Sequence, residues 1–205
     1  VLASASRSLS FAALLSGDVV RGPMRDGLFA LFFFGFGVKA GIVPLHVWLP
    51  EAHPAAPTSI SALLSAVLLE AGIYGMVRVC AFGLGTPRLS WGVIVVAVGG
   101  LSAVLGVLYA LMQHDLKRLL AYHSIENIGI ILLGLGAGMM AMSHGRKDVA
   151  WIGVAASLYH VLNHAVFKGL LFLGAGNLAM ATGTRATERY GGLLRRMPWT
   201  GLFFL

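Results

Sequence analysis

Charge is scarce in this sequence. Of its 205 residues, 15 are Lys or Arg and 8 are Asp or Glu, together 11%, while 58% are hydrophobic and the mean hydropathy is +0.83. A water-soluble domain usually carries about 25% charged residues. The chain therefore lacks the polar surface to face water on all sides, and its class is helical integral membrane protein. Cysteine is almost missing as well, with Cys80 standing alone. A lone cysteine excludes an internal disulfide, a four-thiolate zinc site and an iron–sulfur cluster, so no cofactor is expected in this chain and any redox cofactors are expected in partner subunits. Alternating apolar and polar runs are missing too, and the apolar runs are too long for strands. The chain starts at Val1 with neither an initiator Met nor a charged leader, so no signal peptide is expected, and it stops inside the apolar run "WTGLFFL". It reads as a fragment of a longer protein.

What is present is a series of long apolar runs. A helix needs about 20 residues to cross a bilayer. Five runs meet that length: Gly27–Leu49, Ser59–Leu84, Leu89–Met112, Leu119–Met142 and Val149–Ala181, with a sixth starting near Trp199. The domain reading is an interfacial or extramembrane segment over residues 1–26 and a partial transmembrane domain over 27–205. The net charge is +7, but the basic residues gather in short stretches between the runs, such as Lys117/Arg118 and Arg195/Arg196. Loop charges of this kind meet lipid head groups and set orientation, so the bilayer is a partner and nucleic acid is not. The glycines at Gly134, Gly136 and Gly138, and at Gly174 and Gly176, follow no strand. They are expected to let helices pack closely and not to cradle phosphate.

Three runs hold an ionisable residue near their centre: Lys39, Glu70 and Lys168. Such a residue costs roughly 2.5–3.5 kcal/mol on insertion scales, and it normally faces protein or water. Three at one depth suggest a polar layer across the midplane. The bland alternative is a structural Lys39–Glu70 pair that locks two helices together. The last run strengthens the functional reading, because His160, His164 and Lys168 recur every fourth residue and share one helical face, with Tyr159 and Asn163 beside it. Imidazole can donate at one nitrogen and accept at the other, and a desolvated lysine can lose and regain its proton. These are the components of a proton relay. The same spacing of two histidines can also hold a metal, but no HExxH pattern is present and Lys168 would repel a cation, so no metal is expected.

Two further stretches are candidate points where protons enter or leave. In "HDLKRLLAYHSIENIG", Asp115 and Lys117 form a hydrophilic cap with Arg118, and His123 and Glu126 follow about two turns inside. In "FFFGFGVKAGIVPLHVWLPEAHPAAPTS", Gly41 and Pro44 weaken the helix beside Lys39, while His46, Glu51 and His53 give the broken segment polar ends. An interfacial helix start with satisfied polar groups is the alternative for the first of these.

The stretches "GVKAGIVPLHVWLPEAHPAAPTSISALLSA", "HDLKRLLAYHSIENIGIILLGLG" and "LYHVLNHAVFKGLLFLGAGN" resemble the antiporter-like, proton-conducting membrane subunit family. That family includes the large membrane subunits of respiratory complex I, the multisubunit sodium/proton antiporters and the membrane subunits of energy-converting nickel–iron hydrogenases. "AYHSIENIG" and "RYGGLLRRMPWTGLFFL" look most like its hydrogenase-4 and formate hydrogenlyase branch. The resemblance implies a bundle built from two inverted five-helix repeats, each with a discontinuous helix. It matches Lys39 to the lysine of the first broken helix, Lys168 to the central lysine between two half-channels, and His160 and His164 to the histidines that line the path to it. Glu70 departs from the pattern, since many relatives have Lys there. Ser65 falls where some have His.

The resemblance places this chain at the end of the first repeat and the start of the second, and that piece alone is not expected to complete a transmembrane path. The function it implies is proton translocation within a redox-driven complex, beside other membrane subunits, in a bacterial or archaeal plasma membrane. The alternatives are a sodium/proton antiporter subunit with no redox partner, and a structural scaffold.

Overall fold

A computed structural model describes residues 22–204. Nearly all of the segment expected to lie outside the membrane, residues 1–21, falls outside the described residues. Helix α1 (Pro23–Ala40) opens on a proline in its first turn, where the missing N–H costs nothing. It ends sooner than the apolar run suggests. Gly41 takes the left-handed conformation at φ 75°, and its N–H turns back to the carbonyls of Gly37 and Val38. Only glycine adopts that cap without strain. The chain then turns through residues 41–48 into a short helix α2 (Leu49–Ala55). The expected span Gly27–Leu49 is thus a helix followed by a break. The break is not left unsatisfied: the Ser102 hydroxyl accepts from the Val43 N–H at 3.0 Å, and the Trp48 indole donates to the Val38 carbonyl at 2.9 Å.

Among the described residues, four helices are long and apolar enough to cross a membrane: α3 (Thr58–Gly83), α4 (Leu89–Leu111), α5 (Leu116–Ser143) and α6 (Lys147–Thr182). The first expected span is not among them, because α1 has 18 residues and carries Arg25, Asp26 and Lys39. Helix α3 widens into π-turns at Leu64–Leu68 and Val77–Gly83. After α6 come a 3₁₀ turn (Thr187–Arg189) and the short helices α7 (Leu193–Arg196) and α8 (Pro198–Phe204). Among the described residues there is no strand, and the one β-contact is an isolated bridge between Asp115 and Ala186.

Packing runs α4 against α5 and α5 against α6 as the two most extensive helix contacts, with α1 crossing α3. The α4–α5 seam is made by glycines one heptad apart on each side. A Cβ on Gly129 would lie 2.5 Å from the Gly99 carbonyl, and one on Gly99 would lie 2.9 Å from the Gly129 carbonyl. Close backbone approach of this kind is how helices associate where no hydrophobic effect drives them together. At one end of the bundle Asp26 accepts from the Trp91 indole at 2.8 Å and pairs with Arg88, while Arg25 donates to the Thr86 carbonyl at 2.6 Å. Lys117, Arg118 and Arg185 gather at the opposite end, where α5 begins and α6 ends.

Candidate functional site

Three long helices meet around buried ionisable groups. Glu70 lies halfway along α3, just past the π-turn at Leu64–Leu68. A π-turn inserts a residue into the helix and rotates everything beyond it, a device common at functional sites. In this register Glu70 points inward and is 7% exposed. His164, halfway along α6, is fully buried, and its Nδ1 is hydrogen-bonded to the Glu70 carboxylate. Glu70 Oε2 and His164 Nε2 are buried without a protein partner.

One turn along the same face, Lys168 is 1% exposed, and its ammonium donates to the Leu120 carbonyl of α5 at 2.9 Å. The Leu120 carbonyl also accepts from Ser124 at 3.1 Å, and the Ser124 hydroxyl lies 2.9 Å from that of Ser65 on α3. In the other direction His160 Nε2 is 3.0 Å from Asn127 Oδ1. The Asn127 amide donates to the His123 carbonyl at 2.7 Å, and the His123 ring is hydrogen-bonded to Glu126. A row of polar groups thus follows one face of α6, with α3 and α5 supplying the partners. Each partner differs: a carboxylate for His164, a backbone carbonyl for Lys168 and an amide for His160. The two imidazoles are drawn to different helices, which is not the convergence a metal ion needs.

The expected residues fall into three groups. Glu70, His160, His164 and Lys168 come together as described. Lys39 does not join them. It lies level with Glu70, since the α1–α3 crossing puts Gly72 against Ala40, but it sits on the outer face of α1. There it lines a cavity of about 310 Å³ with Val38, Trp48, Leu64 and Leu68. The Lys39–Glu70 pair is not formed; His164 holds the carboxylate instead. Asn163 and Tyr159 also face outward, because they occupy the side of α6 turned away from α3 and α5.

The third group is the end where α5 begins. Asp115 is the N-cap of α5 and accepts from the N–H groups of Lys117 and Arg118 at 2.9 and 3.1 Å. Lys117 was expected at the surface, but it is 5% exposed. Its ammonium turns inward to donate to the Ala56 carbonyl at 2.8 Å, a backbone group that the end of α2 leaves free. Glu51 pairs with Arg118, and Arg185 bridges Asp115 at 3.2 Å and the Pro54 carbonyl at 2.7 Å. His46 is half-buried in the break, and His53, on α2, is wholly buried. Sequence reasoning missed Asn127 and Ser124. Asn127 follows His123 by one turn, as His164 follows His160, and that repeat was the available signal.

Comparison with known proteins gives a consistent result. The NADH:quinone oxidoreductase/Mrp antiporter transmembrane family matches residues 1–205. Hydrogenase-4 component B of Escherichia coli (strain K12) is 48% identical over 95% of this chain and 29% of its own length. Formate hydrogenlyase subunit 3 of the same organism is 44% identical over 86% of this chain and 29% of its own length. A chain of the Mrp complex from Dietzia sp. DQ12-45-1b has a similar structure, with a TM-score of 0.84 and 26% identity, over 99% of this chain and 36% of that one. The sequence thus spans about a third of the length of the proteins it matches.

Proposed function

This chain belongs to the NADH:quinone oxidoreductase/Mrp antiporter membrane family, and from that membership we propose that it is the part of a proton-translocating subunit that carries protons along the buried face of α6. The complete protein would work in a redox-driven complex of the hydrogenase-4 or formate hydrogenlyase kind, in a bacterial or archaeal plasma membrane. Electron transfer in partner subunits would drive it.

The observation that carries the reading is the Glu70–His164 pair with Lys168 one turn away, all three buried between α3, α5 and α6. Buried ionisable groups in a membrane are costly, and they usually mark ion pathways. The chemistry needs no covalent step. A proton shared between the His164 ring and the Glu70 carboxylate can sit on either, and the other atom of each group is free to pass a proton onward through water. Because Glu70 and Lys168 carry opposite charges when ionised, a change at one alters proton occupancy at the other by Coulombic coupling. His160, Asn127, His123 and Glu126 extend the row on the far side of His164. Lys39, level with Glu70 on the outer face of α1, would be the station that meets whatever packs there in the complete protein.

The test is proton uptake by the complete complex in sealed vesicles, followed with a pH-sensitive dye. Lys168→Ala and Glu70→Gln should each abolish uptake while the complex still assembles. Wild-type uptake in both variants would overturn the reading. The structural likeness to the Mrp complex supports a second reading, sodium/proton exchange without redox work. In that case an imposed sodium gradient would drive proton movement with no electron donor present.

A further inference from the structure

His53 is the most conspicuous buried polar group outside the row. Its relative exposure is 0%, and neither ring nitrogen has a protein partner. Its ring stacks on Phe172, with centroids 4.4 Å apart and planes 14° from parallel. Phe172 is one turn beyond Lys168 on α6. On the other side, the Ser61 hydroxyl donates to the His53 carbonyl at 3.0 Å and lies 3.5 Å from the Lys117 ammonium. The charges of Lys168 and Lys117 both reach the imidazole.

The depth of these groups matters. The Lys168 ammonium reaches the Leu120 carbonyl, one turn inside Leu116, or about 6 Å along the axis of α5. Beyond Leu116 is the charged end of the bundle, where Asp115, Arg185, Glu51 and Arg118 meet. His53 thus occupies the short interval between Lys168 and the cluster that begins at Lys117. A buried polar atom without a partner is rare in proteins, and a bound water with two or more polar neighbours is its usual complement.

We infer that His53 is a proton-relay residue that joins Lys168 to the charged end of the bundle at Lys117, Asp115 and Arg185. The step conserves atoms and charge. A hydronium on the Lys117 side gives a proton to one ring nitrogen and is left as water, and the other nitrogen gives its proton to a water that faces Lys168, which carries it on. Ring reorientation then restores the starting tautomer. Stacking on Phe172 fixes the plane of the ring, and a half-turn about the Cβ–Cγ bond exchanges the nitrogens without leaving that plane. This inference rests on the proton-path reading, and it gives that path an opening on one side of the membrane.

The experiment uses the complete complex in sealed vesicles. His53→Ala should lower proton uptake on the order of tenfold or more, as loss of a positioned proton carrier does, and added imidazole should restore it. Pyrazole, of the same shape but far less basic, should not. Equal rescue by both compounds would make His53 a space-filling residue and overturn the inference, as would unchanged uptake in His53→Ala. Lys168→Ala, run beside it, separates the two proposals: inactive Lys168→Ala with fully active His53→Ala leaves the path standing and removes only this branch. Should His53→Ala fail to assemble, a high-resolution map of the wild-type complex decides. Water beside both ring nitrogens supports the relay, and apolar packing around both excludes it.

Discussion

Asp115 shows how one side chain can serve two structural ends at this site. It caps α5 by accepting from two N–H groups that the helix start leaves unpaired, and it also receives Arg185 from the end of α6. Asp115→Ala should destabilise the complete protein by about 1 kcal/mol, the usual cost of losing a cap. Asp115→Asn should keep most of the cap and lose only the ion pair. Thermal unfolding in detergent should therefore rank wild type first, Asn next and Ala last. At the same scale, Lys117 illustrates how a basic residue in a loop-like stretch can be drawn inward. The carbonyl of Ala56, orphaned at the end of α2, accepts from its ammonium.

The transmembrane elements are held by shape more than by polarity. Along the α4–α5 seam the glycines let the backbones approach until a side chain on either helix would meet the other's carbonyls. Gly129→Val should cost roughly 1–3 kcal/mol through overpacking, and it should act by splaying α5 from α4. Since α5 carries Leu120, Ser124 and Asn127, the row on α6 would lose its partners at the same time. The expected result is a lower unfolding temperature together with lower proton uptake, whereas Gly27→Ala, on an open side of α1, should leave both unchanged. The π-turn before Glu70 belongs to this scale as well. The same residues in an unbroken α-helix would present the carboxylate at a different angle.

Over the whole molecule, the charged groups divide into those that hold the fold and those that do not. Glu70 is one that does, through its pair with His164. Removing it leaves His164 buried and unpaired, so Glu70→Ala should cost about 1–3 kcal/mol and abolish uptake. Lys39 has no hydrogen bond or ion pair among the described residues and lies exposed on α1. Lys39→Ala should therefore abolish uptake with little change in unfolding temperature. A parallel loss of stability in Lys39→Ala would show that the amine is structural. Measuring stability and flux on the same two variants separates the roles.

Much of this was legible in the residues themselves. Scarce charge and long apolar runs determined a helical membrane protein, because a chain this apolar has no other solvent. The fourfold spacing of His160, His164 and Lys168 determined that they share a face, since helical geometry permits nothing else. The break after Lys39 was written in Gly41 and Pro44. Pairing was not legible, because it depends on which faces of separate helices meet. Lys39 and Glu70 lie at one level, and the sequence allowed them to pair. The crossing at Gly72 and the π-turn in α3 instead send one outward and the other to His164. The burial of His53 and Lys117 was likewise a tertiary outcome. Only once α2 folds back over the start of α5 are these two polar side chains enclosed.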